Sequence, residues 1–158
     1  MKIIILGMDN TGKTTLAEEL SKKLQIVHLV SGGPKVPCDK MKEELHVLLS
    51  IENFIQERCS FFEEMVYGSI LRKHSNFSFK DKEFIEELKD VNIIYCRPNK
   101  KVIKNWQQRE QMEGVIDNSD KLLKQFDKVI KKARLHGLNI IRYDYKKESP
   151  SDVIAKLQ

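Results

Sequence analysis

A chain of 158 residues, 41% hydrophobic and 32% charged, is long enough for one full core and too short for two. No apolar run approaches the roughly 20 residues of a membrane span, and the apolar opening has the wrong length and flanks for a secretory leader, so a cytoplasmic protein without membrane attachment is expected. The formal charge of +5 suits a polyanionic partner without choosing between nucleotide and nucleic acid.

Lys2–Leu6 is a short β-branched run of the kind that forms a strand buried on both faces. Gly7-x-x-x-x-Gly12-Lys13-Thr14 follows, the spacing of a phosphate-binding loop. From Thr14 the period changes, with Leu16, Leu20 and Leu24 marking an amphipathic helix. The motif therefore sits between a buried strand and a helix N-terminus, where its chemistry requires it. Glycines let the backbone wrap closely around a polyphosphate, with successive N–H groups pointing inward. The helix start adds partial positive charge, Lys13 adds a full one, and the Thr14 hydroxyl can ligate Mg²⁺. Gly7, Asp9, Asn10, Thr11, Gly12, Lys13, Thr14 and Thr15 are the expected nucleotide-binding residues.

Ile26–Val30 reads as a second strand containing a packed His28, closed by the turn residues Ser31-Gly-Gly-Pro34. Met41, Leu45 and Leu48 mark a helix, and Ile51–Ile55 a third strand running into Gln56-Glu57-Arg58. A helix from about Ser60 passes through Tyr67-Gly68 to Arg72, and Ser78-x-x-Asp81 opens another carrying Phe84, Ile85 and Leu88. Val91–Cys96 is the fourth strand. The stretch from Arg97 to Arg109 then holds five basic residues and no acid. A long helix with Leu122, Phe126 and Ile130 inside ends at Gly137, Leu138–Tyr143 is the fifth strand, and Ser149-Pro-Ser-Asp152 caps a closing helix. Five strands alternating with helices predict one α/β domain over 1–158, a five-stranded parallel sheet covered on both faces. Cys38, Cys59 and Cys96 are odd in number, far apart and without zinc spacing, so reduced thiols are expected.

Gly7-x-Asp9-x-x-Gly12-Lys13-Thr14-Thr15 resembles the loop of thymidylate kinases, which carries an aspartate in this place. Glu57-Arg58-x-x-x-x-Glu63-x-x-Val-Tyr67-Gly68 resembles their Asp-Arg segment and also the Glu-Arg-Ser segment of deoxyribonucleoside kinases, with Cys59 in place of the serine. Ile94-Tyr-Cys-Arg-Pro98, the basic stretch, and Gln111-Met-Glu-Gly-Val115 are similar to the lid of small phage-type members, here about 97–114. The resemblance implies a P-loop kinase with ATP and Mg²⁺ as cofactors. Lys13 would act on the transferring group, Asp9 would face the acceptor, and Arg58 would clamp the acceptor phosphate. Glu57 would order a metal-bound water or take a proton from a hydroxyl acceptor. Arg97 and Arg109 would reach the phosphates from the lid. Some thymidylate kinases follow the loop aspartate with an arginine; here Asn10 stands there, so a lid cation must replace it. Tyr67 either stacks on a base or fills the core, Trp106 packs under the lid, and Gln111 contacts the acceptor or the lid backbone. Family members often dimerise through helices, which leaves a homodimer open.

Phosphoryl transfer needs two anions in line, charge neutralised over the equatorial oxygens, and water excluded. A mobile basic lid over a phosphate loop supplies all three. The leading expectation is transfer from ATP to a small-molecule nucleotide, a deoxynucleoside monophosphate, with dTMP first. A deoxynucleoside kinase would need a base for its 5′-hydroxyl acceptor; near the second strand only Asp39 offers one. A 5′-end nucleic-acid kinase and a small ATPase, with Glu57 as its metal carboxylate, are the further variants. A GTPase is disfavoured, since Asn99-Lys-Lys-Val102 lacks the closing aspartate of the guanine-reading motif.

Overall fold

The computed structural model describes residues 1–31, 38–105 and 114–157. Five strands, β1 (Lys2–Leu6), β2 (His28–Val30), β3 (Phe54–Glu57), β4 (Asn92–Cys96) and β5 (Ile140–Tyr143), form one sheet in the order β2-β3-β1-β4-β5. All four pairings are parallel, as the alternation of strands and helices predicts. β1 lies at the centre, and Ile3 to Leu6 are wholly buried. Register aligns the strand ends: Ile5 pairs with Glu57, Leu6 with Tyr95, Val30 with Glu57, and Cys96 with Tyr143. The residues that leave the sheet at this edge include Gly7, Arg58 and Arg97, which places three expected site segments side by side.

Side chains alternate across the sheet. Ile3, Ile5, Ile55 and Ile94 pack with Leu16 and Leu20 of α1 (Lys13–Leu24) and Val153 of α7 (Pro150–Ile154). Ile4, Leu6, Phe54 and Ile93 face the other layer, made of α2 (Cys38–Ser50), α3 (Ser60–Glu63) with its continuation, α4 (Lys82–Leu88) and α6 (Ser119–Leu135). Glu57 shares the α1 face with Ile55, which is why it reaches Thr14 on that helix. Cys59 and Cys96 are free and buried, and burial pushes both thiols up to about 12.

Several boundaries differ from the sequence expectation. The second strand is only His28–Val30, and Ile26 instead accepts a bond from Ser21 through its carbonyl. The third begins at Phe54 because α2 runs on to Ser50 and the Ile51 amide closes its last turn on Leu48 O, leaving Ile51 37% exposed. The buried stripe of α2 ends on Leu49 rather than Leu48. Ser78 and Asp81 bond each other, but in a turn ahead of α4, whose first residue is Lys82. At α7 the capping box forms in full between Ser149 and Asp152.

The expected helix after Ser60 is α-helical only to Glu63; Glu64–Arg72 is wound as a π-helix. Such wider winding is uncommon and gathers at functional sites. Side chains from elsewhere support it. The buried Glu64 carboxylate accepts bonds from Arg72 and from Asn76, and Gln125 of α6 donates to Met65 O at 2.9 Å. Gly68 accommodates a return of the chain: a β-carbon there would lie 2.5 Å from His74 O. No helix among the described residues is long and apolar enough to cross a membrane.

Candidate active site

The phosphate loop is built by conformations that only certain residues tolerate. Gly7 has φ +146°, and a β-carbon on it would sit 2.6 Å from Cys96 O and 2.8 Å from Thr11 Oγ1. Asn10 and Gly12 follow with φ of 61° and 86°, so the chain turns twice through the left-handed region before α1 begins. No side chain caps α1 at Gly12, which leaves its first N–H groups directed at the loop. Thr11 Oγ1 and Lys13 Nζ both donate to Met8 O at 2.7 Å, tying the loop across its base. Lys13 is only 4% exposed; burial pulls its pKa down, and Asp9, 3.9 Å away, opposes that shift.

Thr14 donates its hydroxyl to Glu57 Oε1 at 2.8 Å. Two hard oxygen donors thus stand together beside the loop, a donor set that fits Mg²⁺, which takes one or two protein ligands and completes its shell from phosphate and water. His28 Nε2 stands 3.5 Å from Glu57 Oε2, behind that pair on the same sheet face.

Arg58 leaves β3 with φ +69°, its amide bonded to Ile5 O at 3.0 Å. That left-handed turn aims the guanidinium back at the phosphate loop, where Nη2 meets Asp9 Oδ1 at 2.8 Å and Nη1 stands 4.0 Å from Glu63 Oε2. Burial alone would lower the Arg58 pKa; Glu63 and Asp9 more than offset it. Arg58 also borders a cavity of about 290 Å³ between α2 and the ends of β2 and β3, lined by Val30, Ser31, Leu45, Leu48 and Gln56. Asp39, the sequence candidate for a base, is exposed on the first turn of α2.

Tyr67 is buried, with its ring edge-on to Phe126 at 5.7 Å. Its hydroxyl has no hydrogen-bond partner among the described residues. Arg97 follows β4 but turns to α6, where it forms a two-point pair with Asp127 at 3.0 Å through Nε and Nη2. Tyr95 donates to the same carboxylate at 2.9 Å, and Arg97 Nη1 bonds Pro98 O at 2.8 Å. The lid stretch contributes α5 (Lys100–Asn105), anchored by Lys100 to Asp120 at 3.1 Å. Trp106, Arg109 and Gln111 lie outside the described residues.

Lys13, Thr14, Glu57, Asp9 and Arg58 are therefore brought together by two segments far apart in sequence, the phosphate loop with the start of α1 and the end of β3. Glu63 joins them without having been assigned a role from sequence. Its signal was position: four residues before Tyr67, inside the segment that follows Arg58. Tyr145 is a second residue not foreseen; it covers Gly12, where a β-carbon would come within 3.1 Å of its ring.

The parallel sheet and this loop define the P-loop kinase fold. Among solved structures, the YorR protein of Bacillus subtilis, in complex with phosphorylated GDP, superposes with a TM-score of 0.76 at 21% identity, over 98% of this chain and 92% of its own. Deoxyadenosine kinase from M. mycoides with bound dATP gives 0.63 at 19% identity, covering 98% and 97%. Shikimate kinase from Acinetobacter baumannii with shikimate gives 0.62 at 14% identity, covering 98% and 89%. The sequence matches no protein-family model and no curated protein.

Proposed function

We propose that this chain is a cytoplasmic phosphotransferase that moves the γ-phosphoryl group of ATP to a deoxynucleoside monophosphate, with dTMP the first acceptor to test. The observation that carries the reading is the placing of Arg58. It is held at 2.8 Å by Asp9 of the phosphate loop and borders a cavity large enough for part of a nucleoside. A cation shared between the loop and an adjoining pocket suits an acceptor that brings its own phosphate. Such an acceptor needs charge neutralised and hardly needs a base.

In this reading the loop amides and Lys13 hold the donor phosphates, and Thr14 and Glu57 hold Mg²⁺, which when bound neutralises charge on the phosphate oxygens. Asp9 orients Arg58 and faces the acceptor sugar. Arg58 sets the acceptor phosphate in line with the donor. Arg109 supplies the lid cation, because Arg97 is engaged by Asp127 at the root of the lid. The test is a panel of nucleosides and nucleoside monophosphates with MgATP, products resolved by chromatography. The expected result is a diphosphate formed in step with ATP consumed. Free phosphate without phosphorylated acceptor would show an ATPase instead.

A second reading, a deoxynucleoside kinase, is favoured by one observation. Glu63 is a buried carboxyl beside Arg58, raised by burial to about 7, and so has the basicity that a hydroxyl acceptor requires. The superposed M. mycoides protein is itself a deoxyadenosine kinase. Phosphorylation of deoxynucleosides but of no monophosphate in the same panel would select this reading.

A further inference from the structure

Asp9, Arg58, Glu63 and Tyr67 crowd together beyond the end of β3. Asp9 and Glu63 approach Arg58 to 2.8 and 4.0 Å. Two polar atoms of this group are buried with no hydrogen-bond partner among the described residues: Glu63 Oε1 and the Tyr67 hydroxyl. Leaving one such atom unpaired is costly, and native structures rarely do so without a reason. Two of them, about a helical turn apart and beside a cation bordering a cavity, mark a place that the described residues leave open to a ligand.

The two groups differ in what they can do. The Tyr67 ring is fixed edge-on against Phe126, and burial, reinforced by Asp9 and Glu63, raises its pKa, so its hydroxyl keeps its proton. Glu63 is 13% exposed and can hold or release a proton near neutrality. Burial raises its pKa, Arg58 and Lys13 pull it back, Asp9 and Glu57 push it up again, and the balance lies at about 7. These charges come from the phosphate loop and the end of β3, while Tyr67 stands on its own helix.

We infer that Glu63 and Tyr67 are the specificity-determining pair of the acceptor site: Glu63 takes up a proton when the acceptor brings a phosphate to Arg58, and keeps its charge when the acceptor is a neutral nucleoside. This rests on the acceptor site proposed above. A phosphate arriving at Arg58 adds a third anionic group around a guanidinium that already faces two carboxylates. The electrostatic cost falls when one proton moves from solvent to the unpaired Glu63 oxygen, since the carboxyl then donates a hydrogen bond in place of repelling. A nucleoside brings no such charge and draws in no proton. Tyr67, about one helical turn along and within the electrostatic reach of Glu63, adds a fixed donor, so the pair distinguishes acceptors by charge as well as by shape.

Calorimetric titration of the full chain with dTMP and with thymidine, in buffers of differing ionisation enthalpy near pH 7.5, reads the proton directly. If the acceptor panel returns another monophosphate and its nucleoside, those replace them as probes. The parent should take up an extra fraction of a proton, at most about one, with the monophosphate and none with the nucleoside. Glu63→Gln should lose that uptake and flatten the pH profile of monophosphate binding, while Glu63→Asp retains the uptake. Tyr67→Phe should keep the uptake and change the ratio of kcat/KM between the two acceptors by about tenfold. The ionisation of the ligand itself is common to all variants, so differences between them belong to the protein. Equal uptake in the parent and Glu63→Gln overturns the inference while leaving the kinase reading intact. A parent that phosphorylates nothing in the panel overturns the proposed function, and this inference with it.

Discussion

On the phosphate-loop side of the site, Thr11 and Lys13 share Met8 O, and Thr14 is bonded to Glu57. Across Arg58 the pattern changes: Glu63 Oε1 and the Tyr67 hydroxyl are buried without partners, on a helix that passes from α to π winding between them. On one side the charged and hydroxyl side chains of the loop already brace one another, and on the other two side-chain oxygens stand unpaired among the described residues. In the proposed reading, the contrast follows from what each has to recognise. A polyphosphate looks the same in every nucleotide, so its cradle can be finished within the chain. An acceptor is one molecule among many, and its site must leave atoms that only the right partner satisfies.

The largest effect expected from breaking this contrast lies on the finished side. Lys13→Met should lower kcat/KM by about 10³-fold or more. Its melting temperature should hold or rise, because burial opposes the Lys13 charge and Met8 O keeps its bond from Thr11. Thermal unfolding beside a steady-state assay separates the two. Arg58→Ala should cost about 10²-fold in kcat/KM for a monophosphate and leave the KM for ATP nearly unchanged, which acceptor titrations at fixed ATP would read. Arg109→Ala should cost at least ~10²-fold in kcat; turnover within about threefold of the parent would remove Arg109 from its lid role.

Smaller effects sharpen the comparison through stability. Gly68→Ala would drive a β-carbon to 2.5 Å from the backbone oxygen of His74, so a loss of about 2–3 kcal/mol is expected in urea unfolding. Glu63→Gln should show a pH-dependent gain. Because the folded Glu63 carboxyl sits at about 7 and its unfolded value is lower, the native state binds more protons between roughly pH 4.5 and 7. The parent therefore loses stability as pH rises through that window, and Gln does not. The variant should gain on the parent by on the order of 2 kcal/mol between about pH 5 and pH 8. A gap that does not move with pH would show that Glu63 titrates normally.

The loop and the strands were legible because their signals are local. Lys2–Leu6 declares a buried strand by its run of isoleucines, and Gly7, Gly12 and Lys13 stand at fixed offsets. What escaped depends on contacts that spacing cannot show. Ile51 looked like the start of a strand, yet the helix before it claims its amide. Nothing near Glu64 announces a π-helix; the partners that support it, Asn76 and Gln125, come from later elements. The resemblance gave Arg97 a reach to the phosphates from the lid, but could not show the acid it pairs with here, Asp127, 30 residues away on α6. Glu63 lay inside the quoted segment, but burial gives it a proton to exchange, and burial is not visible in the sequence.

The wider winding of Glu64–Arg72 has a consequence for how this chain could change. A stretch that carries more residues per turn than a regular helix holds slack that a deletion can absorb. Removing one residue there would let the coil tighten to regular winding, changing which of its own side chains face inward while the residues beyond keep their places, with the phosphate cradle untouched. A family of such proteins could thus explore new acceptors by altering length at one spot, without disturbing the machinery that handles the donor.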